Sequence, residues 1–373
     1  MGALRVLQAI GAMDLAGAET MIMNIYRNID RDKVQFDFLV NADRKCAYDD
    51  EIEDMGGHIY RIPYYRIINL HSYRKACANV LGELSGTHPI IHGHIGAPAA
   101  IYLSEAKRKG YYTIAHSHAK HHPINPTEIA FRLSTYPTRF VADYFFACSH
   151  QAGIDRYGKR IVNSERFSII PNGIDAASFS FDNKKRETVR TELGIGNEIV
   201  VGHVGRFEEV KNHAFLLETF ASFHQMHQAS KLVLVGSGPL MEQMKTRADK
   251  LGISDSTLFV GNRTDMPNVY ASFDVFVFPS FTEGLSVALL EAQGSGLPCV
   301  VSEANSDEGI VSKTVHRLSL SEGAEAWAMQ IAKSIENPCD RSMGFKDIQQ
   351  HGFDINDSAI KLQQFYLEHA SRG

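Results

Sequence analysis

The chain has 373 residues, of which 44% are hydrophobic and 22% charged, and a formal net charge of −5. This composition is typical of a globular protein and argues against disorder, and the length exceeds what one hydrophobic core usually supports, so we expect two domains. No apolar run reaches 18 residues, and the five cysteines form no C-x-x-C pair, so neither a membrane-spanning helix nor a disulfide framework is predicted.

Short β-branched or aromatic runs alternate with helix-length segments along the whole chain. Continuous apolar strands separated by helices indicate parallel sheets that are covered on both faces. The predicted strands, in chain order, are "LRVLQAI", "VQFDFLV", "HIYRI", "IIHGH", "YTIAH", "YFFAC", "FSIIP", "EIVVGHVG", "KLVLVG", "TLFVG", "DVFVFPS" and "PCVVS".

The boundary between the domains is predicted within "IPNGIDAASFSFDNKKRE", where proline, asparagine, glycine and charge cluster after a strand. The sequence therefore predicts two doubly wound α/β domains, residues 1–175 and 176–355. A ligand is expected in a central cleft between them, at the carboxyl ends of the strands.

Two cations follow a buried strand in "GHVGRFEEVKNHAF". Gly205 lets the backbone come close to a ligand, Arg206 can hold phosphate oxygens bidentately, and Lys211 adds a compact charge. The turn is therefore a candidate phosphate site. The alternative is a pair of surface cations, one of them paired with Glu208 or Glu209.

The stretch "FTEGLSVALLEAQGSG" places Glu283 before a predicted helix that begins within Gly284–Val287. Free N–H groups at a helix start attract anions. Glu291, farther along this helix, could accept two hydrogen bonds from a vicinal diol; the alternative is an exposed helix residue.

Two further glycine-rich turns follow strands. "GAMDLAGAETMIMNI" opens the first helix and could approach phosphate through Gly17. "LVGSGPL" has Gly236 and Gly238, but Met241 stands where a dinucleotide fingerprint has its third glycine. An ordinary tight turn is favoured there.

Histidine is frequent, with 17 residues, and several histidines end or follow strands of the first domain: "HGH" at 92–94, "HSH" at 116–118, and His121 and His122. Alternating positions can place two rings on one side, as in a metal site. No carboxylate lies at a helpful spacing, and the D-x-D of Asp30 and Asp32 lies in a turn away from the strand ends. We expect no metal.

Several of these segments together resemble a known family. "AGAE", "IPNGID", "GRFEEVKN" and "GNRTDMPNVYASFDVFVFPSFTEGLSVALLEAQGSGLPCVVS" are similar to retaining, nucleotide-sugar-dependent glycosyltransferases of family 4 with the GT-B fold. The group that builds bacterial exopolysaccharide or capsule is the most similar. The resemblance covers nearly the whole chain, and it implies that residues 356–373 form a helix that crosses back to the first domain.

The resemblance also implies roles for individual residues. Arg206 and Lys211 would neutralise the donor diphosphate, Glu283 would hold hydroxyls of the transferred sugar, and Glu291 would hold the ribose. His116, which ends "YTIAH", would be the active-site histidine, with His118 as the alternative. The remaining donor-binding positions are Gly17, Asn172, Gly205, Arg263 (through its backbone near the base), Gly284, Leu285 and Ser286.

One departure limits the inference, because many members have Phe-Gly where this chain has Leu285-Ser286. Donor-sugar specificity therefore does not carry over. The resemblance implies a hexosyltransferase that needs no metal or cofactor, prefers a UDP-sugar, retains anomeric configuration, and uses a saccharide or lipid-linked acceptor. The alternatives are a nucleotide-sugar epimerase, a non-catalytic sugar-nucleotide-binding subunit and, less favoured because of the broken glycine fingerprint, a nicotinamide-dependent oxidoreductase.

Residues 60–140 hold ten lysines and arginines but only three glutamates. Such a segment is either a set of solvated faces or a surface for anionic lipid or a phosphate-bearing acceptor. No aromatic-interleaved basic stripe supports nucleic acid as a partner. We expect a protein of the cytoplasm or of the inner membrane face.

Overall fold

The computed structural model describes residues 2–14, 16–94, 96–118, 125–337 and 339–370. They form two compact units: unit 1 is residues 1–172 with 355–373, and unit 2 is residues 173–354. The strands are β1 (Leu4–Ile10), β2 (Val34–Val40), β3 (Ile59–Arg61), β4 (Ile90–His94), β5 (Tyr112–Ser117), β6 (Tyr144–Ala147), β7 (Phe167–Ile169), β8 (Ile199–Val204), β9 (Ser230–Val235), β10 (Thr257–Gly261), β11 (Val275–Phe278), β12 (Cys299–Ser302) and β13 (Val315–Leu318).

Helices connect the strands, and several short 3₁₀ turns occur among them. The helices are α1 (Gly17–Asn28), α2 (Asp49–Asp54), α3 (Leu70–Leu84), α4 (Ala99–Arg108), α5 (Pro126–Thr135), α6 (Thr138–Val141), α7 (His150–Tyr157), α8 (Lys159–Val162), α9 (Ala176–Phe179), α10 (Asn183–Glu192), α11 (His213–Met226), α12 (Met241–Lys250), α13 (Met266–Ser272), α14 (Val287–Gly294), α15 (Gly323–Glu336), α16 (Met343–Gln350) and α17 (Ile355–His369).

Unit 1 is built on a seven-stranded sheet in the order β3-β2-β1-β4-β5-β6-β7, with every pairing parallel. Successive side chains of β1 enter different cores: Val6 belongs to the cluster on one face and Leu7 to the cluster on the other. Helix α17 belongs to this unit, and its Tyr366 lies in the same cluster as Val6. The strand order reverses at β1 and β4, which is where open α/β sheets bind ligands.

Unit 2 repeats this architecture with six parallel strands in the order β10-β9-β8-β11-β12-β13. Buried apolar side chains again form one cluster on each face. Its strand order reverses at β8 and β11. The predicted fold class, two Rossmann-like α/β domains, is thus confirmed.

A buried carboxylate stabilises the sheet of unit 1. Asp37 of β2 is fully buried and pairs with Arg5 at 2.5 Å and with His88 at 2.6 Å. The backbone N–H of His58 donates to the same carboxylate at 2.7 Å. Burial alone would raise the pKa of Asp37, but the hydrogen bonds from His88 and Arg5 hold it well below its usual range.

Candidate functional site

The predicted site residues are divided between the two units, and each half is described by itself. Unit 2 carries those from Gly205 to Glu291, in turns that follow β8, β10 and β11. Unit 1 carries Gly17, His116 and Asn172.

The turn after β8 is shaped by close packing against the turn after β9. A side chain on Gly236 would lie 2.2 Å from the carbonyl oxygen of Gly205, and one on Gly238 would lie 2.6 Å from that of Phe207. Gly236 also has a φ of +131°, which L side chains rarely adopt. These two glycines are therefore needed for one turn to pack on the other.

Lys211 and Glu283 meet in this region. Their Nζ and Oε1 atoms are 2.6 Å apart, and both side chains are largely buried, at 19% and 14% exposure. Lys211 Nζ also lies 4.8 Å from the centre of the Phe278 ring, at the end of β11. The N–H of Phe281 donates to the carbonyl of Val210, which holds the two turns together. A cation and a carboxylate are thus placed side by side at the strand ends.

Arg206 pairs with a different carboxylate. Its side chain is 70% exposed, and its Nε lies 3.1 Å from Glu208 Oε1. The surface-pair alternative therefore describes its resting position. An exposed arginine on this turn remains able to change partners, because surface ion pairs contribute little free energy.

Helix α14 begins at Val287, within the predicted span, with Ser286 as its N-cap. Ser286 has extended backbone, and its hydroxyl accepts from the N–H of Leu289 at 3.4 Å. Gly284 and Leu285 consequently belong to the preceding loop. Among the described residues, a side chain on Gly284 would meet nothing within 4 Å, so the loop before the helix has open space at this position. Leu285 packs against the core of unit 2.

Glu291 lies in the second turn of α14 and is partly buried, in contrast to the exposed-residue alternative. Burial raises its pKa to about 7, and a hydrogen bond with Tyr270 partly opposes the rise. Near neutral pH this carboxyl group therefore changes its charge.

Arg263, after β10, has its side chain engaged by two carboxylates. It binds Asp265 at 2.8 Å and Glu192 at 2.5 Å. The hydrogen bonds that Arg263 donates to these carboxylates raise its pKa, and the bond to Glu192 has the larger effect. Only its backbone is therefore available for the predicted contact with a base.

In unit 1, Gly17 is the first residue of α1. The N-cap Ala16 has extended backbone and makes no side-chain capping bond, and a side chain on Gly17 would meet none of the described residues within 4 Å. The first N–H groups of this helix are suited to an anion, and the phosphate contact of Gly17 stays a prediction.

Four histidines form a stacked cluster at the carboxyl ends of β4 and β5. His92 and His94 have ring centroids 4.6 Å apart, and His116 and His118 have ring centroids 4.2 Å apart. Burial lowers the pKa of each ring, that of His118 to about 4, so all four are neutral at pH 7. His121 and His122 lie outside the described residues.

Two buried atoms of this cluster, His116 Nε2 and His118 Nδ1, have no hydrogen-bond partner among the described residues. Asn172 Oδ1 is unpartnered in the same sense, although a side-chain interaction of hydrogen-bond type with Asn172 raises the pKa of His118 against the larger effect of burial. Buried polar atoms without partners are costly, and a catalytic or binding role is one explanation for them. The structure thus brings both histidine candidates and Asn172 into one polar region.

Two residues that hydrogen-bond to these histidines were not predicted from the sequence. Gln8 of β1 and Tyr366 of α17 are both buried and hydrogen-bonded to the histidine cluster. A signal was present for Gln8, which is the only uncharged polar residue within the apolar run "LRVLQAI". The sequence contains no such signal for Tyr366, because the packing of α17 brings it to the cluster.

Metal binding deserves a geometric test, because His92, His94 and His116 each offer a nitrogen within 4.8 Å of the others. Zinc–nitrogen bonds are about 2.0–2.1 Å long, and each lone pair must point at the ion. Here the rings stack at interplanar angles of 15–34°. His92 Nε2 and His116 Nδ1 are hydrogen-bonded to each other, and His94 Nδ1 is hydrogen-bonded to His118. A metal would require these bonds to break.

The basic segment 60–140 is partly neutralised by carboxylates outside it. Arg61 pairs with Asp49 and Lys107 with Asp143, and within the segment Arg108 pairs with Glu105. The expected excess of positive charge is therefore smaller in the folded protein than in the sequence count. Lys120 lies outside the described residues.

Large apolar side chains are exposed in the same segment. Ile67 and Ile68 are 84% and 91% exposed, and Leu133 and Phe140 are 70% and 74% exposed. In the part of the chain that the structure describes, no helix has both the length and the apolar character needed to cross a bilayer.

Comparison with known proteins identifies the family. Residues 185–348 match the family described as glycosyl transferases group 1. EpsF of Bacillus subtilis (strain 168), named as a glycosyltransferase, is 33% identical, over 97% of this chain and 96% of its own. The UDP-Gal:alpha-D-GlcNAc-diphosphoundecaprenol alpha-1,3-galactosyltransferase of Escherichia coli is 35% identical over 40% of each chain.

Solved structures share the fold at low identity. The structure of Anabaena HepE in complex with UDP superposes with a TM-score of 0.75 at 20% identity, covering 98% of this chain and 99% of HepE. WaaG, a glycosyltransferase involved in lipopolysaccharide biosynthesis, gives a TM-score of 0.71 at 15% identity, covering 96% of this chain and 99% of its own. The predicted GT-B fold and the predicted family are confirmed. The chain is a glycosyltransferase enzyme that belongs to the group 1 glycosyltransferases.

Proposed function

We propose that the enzyme transfers a sugar from a UDP-sugar to a saccharide or lipid-linked acceptor, with retention of anomeric configuration, in exopolysaccharide or capsule synthesis. The observation that carries the proposal is the Lys211–Glu283 pair, 2.6 Å apart, beside the start of α14. A sugar diphosphate offers each group a new partner, because phosphate oxygens suit the lysine and sugar hydroxyls suit the carboxylate.

The proposed reaction develops charge on the sugar and the diphosphate, which these groups can stabilise. Breaking the sugar–phosphate bond develops negative charge on the diphosphate and positive charge on the anomeric carbon. Lys211, Arg206 and the N–H groups at the start of α14 stabilise the leaving diphosphate. In this role fixed cations do what a metal ion does in other transferases, so we propose that no metal or cofactor is needed.

Retention is proposed to proceed without a covalent sugar–enzyme intermediate. Glu283, which is engaged by Lys211, binds hydroxyls rather than attacking the anomeric carbon, and His116 positions the sugar. The acceptor hydroxyl then attacks from the face that the diphosphate leaves, and a phosphate oxygen takes its proton. This differs from retaining glycosidases, in which a second carboxylate is the nucleophile.

Two relatives favour uridine as the base and a lipid-linked acceptor. The galactosyltransferase of Escherichia coli is named for UDP-Gal and a diphosphoundecaprenol acceptor, and HepE was solved in complex with UDP. The exposed apolar and basic side chains of residues 60–140 suit contact with an anionic bilayer, where a lipid-linked acceptor would lie. We therefore propose peripheral association with the inner face of the membrane.

The decisive experiment screens UDP- and GDP-sugars by thermal shift in the presence of a chelator, then follows the best donor with and without acceptor. A ligand at 100 times its dissociation constant adds about 2.7 kcal/mol of stability. We expect UDP-sugars to stabilise the enzyme and transfer to require an acceptor. A clear preference for GDP would overturn the choice of base, and isomerisation of the donor without acceptor would favour the epimerase alternative.

A further inference from the structure

The histidine cluster is organised as two chains of hydrogen bonds that begin in the core of unit 1. In the first chain the Tyr366 hydroxyl lies 2.5 Å from His92 Nδ1, and His92 Nε2 lies 3.2 Å from His116 Nδ1. The chain ends at His116 Nε2, which is buried and has no partner among the described residues.

The second chain runs beside the first and is joined to it at Tyr366. Gln8 Oε1 lies 2.9 Å from His94 Nε2, and His94 Nδ1 lies 2.7 Å from His118 Nε2. This chain ends at His118 Nδ1, again buried and unpartnered among the described residues. Gln8 Nε2 lies 3.3 Å from the Tyr366 hydroxyl, so the two chains are connected through Gln8 and Tyr366.

The direction of the first chain is set at Tyr366. The Gln8 NH₂ group donates to the Tyr366 oxygen, so the hydroxyl proton points at its other neighbour and the Tyr366 hydroxyl donates to His92 Nδ1. His92 then carries its proton on Nε2 and donates it to His116 Nδ1. A neutral imidazole has one N–H, so His116 carries its own proton on Nε2.

The direction of the second chain follows from the same Gln8 amide, whose NH₂ group faces the Tyr366 oxygen. Gln8 Oε1 is then left to accept from His94, which must carry its proton on Nε2. His94 Nδ1 in turn accepts from His118 Nε2–H, which leaves His118 Nδ1 without a proton, on a ring that the Asn172 side chain also contacts.

We propose that Gln8 and Tyr366 are positioning residues that fix the tautomers of His116 and His118. The two stacked rings then present one N–H donor and one bare nitrogen, which suits a single ligand hydroxyl that accepts from His116 and donates to His118. The identity of the ligand as a sugar or acceptor hydroxyl rests on the proposed glycosyl transfer; the tautomers do not.

The tautomers can be read directly by NMR on the full chain with ring-¹⁵N-labelled histidine, because protonated and bare ring nitrogens have different shifts. Histidine substitutions assign the signals. We expect the wild type to show His116 and His118 each as a single tautomer protonated on Nε2.

Two nearly isosteric variants should have different effects on the two chains. Tyr366→Phe removes the donor to His92 and also the oxygen that orients the Gln8 amide, so both His116 and His118 should become mixtures of tautomers. Gln8→Met removes the acceptor for His94 but leaves Tyr366 to donate, so His118 should become mixed while His116 is unchanged. Tyr26→Phe is the matched control, because it removes another buried hydroxyl of the same core, one that donates to the Met55 carbonyl and interacts with Gln35 rather than with a histidine.

Steady-state kinetics test whether the tautomers affect glycosyl transfer. Loss of one oriented hydrogen bond should lower kcat roughly three- to tenfold in Tyr366→Phe and Gln8→Met, and leave the donor KM within about twofold. Tyr26→Phe should retain wild-type kcat. Wild-type kcat in both chain variants would overturn the positioning role.

Three further results would overturn the proposal: mixed tautomers in the wild type, a Gln8→Met variant in which His116 is also mixed, or one equivalent of tightly bound zinc in the purified protein, removable by a chelator. The proposed function fails separately. If the tautomer pattern holds but no UDP-sugar is transferred, the two chains stand and the glycosyl-transfer assignment falls.

Discussion

Lys211 and Glu283 form a largely buried ion pair in unit 2, with 2.6 Å between Nζ and Oε1. Before a donor binds, each group satisfies the other, which reduces the penalty of holding two charges at a partly dry site. A nucleotide sugar must therefore replace an existing contact rather than fill a vacancy, and this exchange sets what substitutions at either position should do.

We expect Lys211→Ala and Arg206→Ala to lower turnover much more than folding stability. A charge-assisted hydrogen bond contributes about 1.5–3 kcal/mol, so losing one should slow transfer on the order of tenfold to a few hundredfold. Lys245→Ala, which removes a lysine from an exposed pair with Glu242, is the matched control. Near-normal turnover at saturating donor in both test variants would contradict the assignment.

Substitutions of the two glutamates should change different kinetic parameters. Glu291→Gln weakens a contact to the ribose that is similar in the ground and transition states, so mainly the donor KM should rise. Glu283→Gln touches the reacting sugar and also releases Lys211, so mainly kcat should fall. Steady-state kinetics with varied donor separate the two. If both variants changed both parameters equally, this division of roles would be wrong.

Donor affinity should depend on pH through Glu291. Burial raises its pKa to about 7, so about one carboxyl group in ten is ionised at pH 6 and nine in ten at pH 8. Only the ionised form accepts a hydrogen bond from each ribose hydroxyl on both oxygens. Calorimetry should show UDP-sugar binding about tenfold more tightly at pH 8 than at pH 6.

Glu291→Gln should remove this dependence, because an amide keeps the same charge at both pH values. A variant that retained the tenfold change would assign the titration to another group.

The buried carboxylate of unit 1 should be the most costly charge to remove. Asp37→Ala leaves Arg5 and His88 without their partner, so we expect a loss of about 3–5 kcal/mol. Hydrogen exchange of amides in the unit 1 sheet measures this loss for the unit itself. Asp30→Ala, which removes a carboxylate from an exposed pair with Lys33, should leave the stability nearly unchanged.

The contribution of Asp37 should also disappear in acid. Its folded pKa lies well below its unfolded value of about 3.9, so its stabilisation is present above pH 4 and is lost as the pH falls further. The wild type and Asp37→Ala should therefore converge in stability below pH 4. A gap that stayed constant into acid would mean that packing, not charge, is lost.

Membrane association should depend on apolar side chains as well as on charge. Since Lys107 and Arg108 are paired in the folded protein, we expect Ile67→Ser with Ile68→Ser to be the sharper test. Burying such side chains contributes about 1.5–3 kcal/mol each when complete, so the double variant should bind anionic vesicles at least about tenfold more weakly.

The wild type should co-sediment with these vesicles at low salt and release near roughly 0.5 M salt, because screening shortens electrostatic attraction. Met329→Ser, which removes an exposed apolar side chain of unit 2, is the control. If the wild type ignores anionic vesicles at low salt, a soluble acceptor becomes the better hypothesis.

The strands were predictable because buried parallel strands are continuous apolar runs. "LRVLQAI", "VQFDFLV" and "IIHGH" coincide with β1, β2 and β4. The strand that was not predicted, β13, has the sequence "VHRL", lies at the edge of its sheet and is only partly buried. An edge strand of this kind has no apolar run to mark it.

The candidate site was predictable where one turn supplies the chemistry, and less so where distant segments meet. Gly205, Lys211 and Glu283 stood out because glycine and charge follow a strand. The partnership of Lys211 with Glu283 did not, since 72 residues separate them. The link from Tyr366 to His92 spans 274 residues and depends on where α17 packs, which no local pattern records.

The return of the chain to unit 1 sets an order of assembly. Unit 2 is a continuous stretch, residues 173–354, and can fold as soon as it has left the ribosome. Unit 1 begins earlier but lacks α17 until residues 355–370 are made, and without it Phe36 and His92 lack the ring of Tyr366 that packs against them. During synthesis, therefore, the domain translated first is the domain completed last, and it exposes its core for longest.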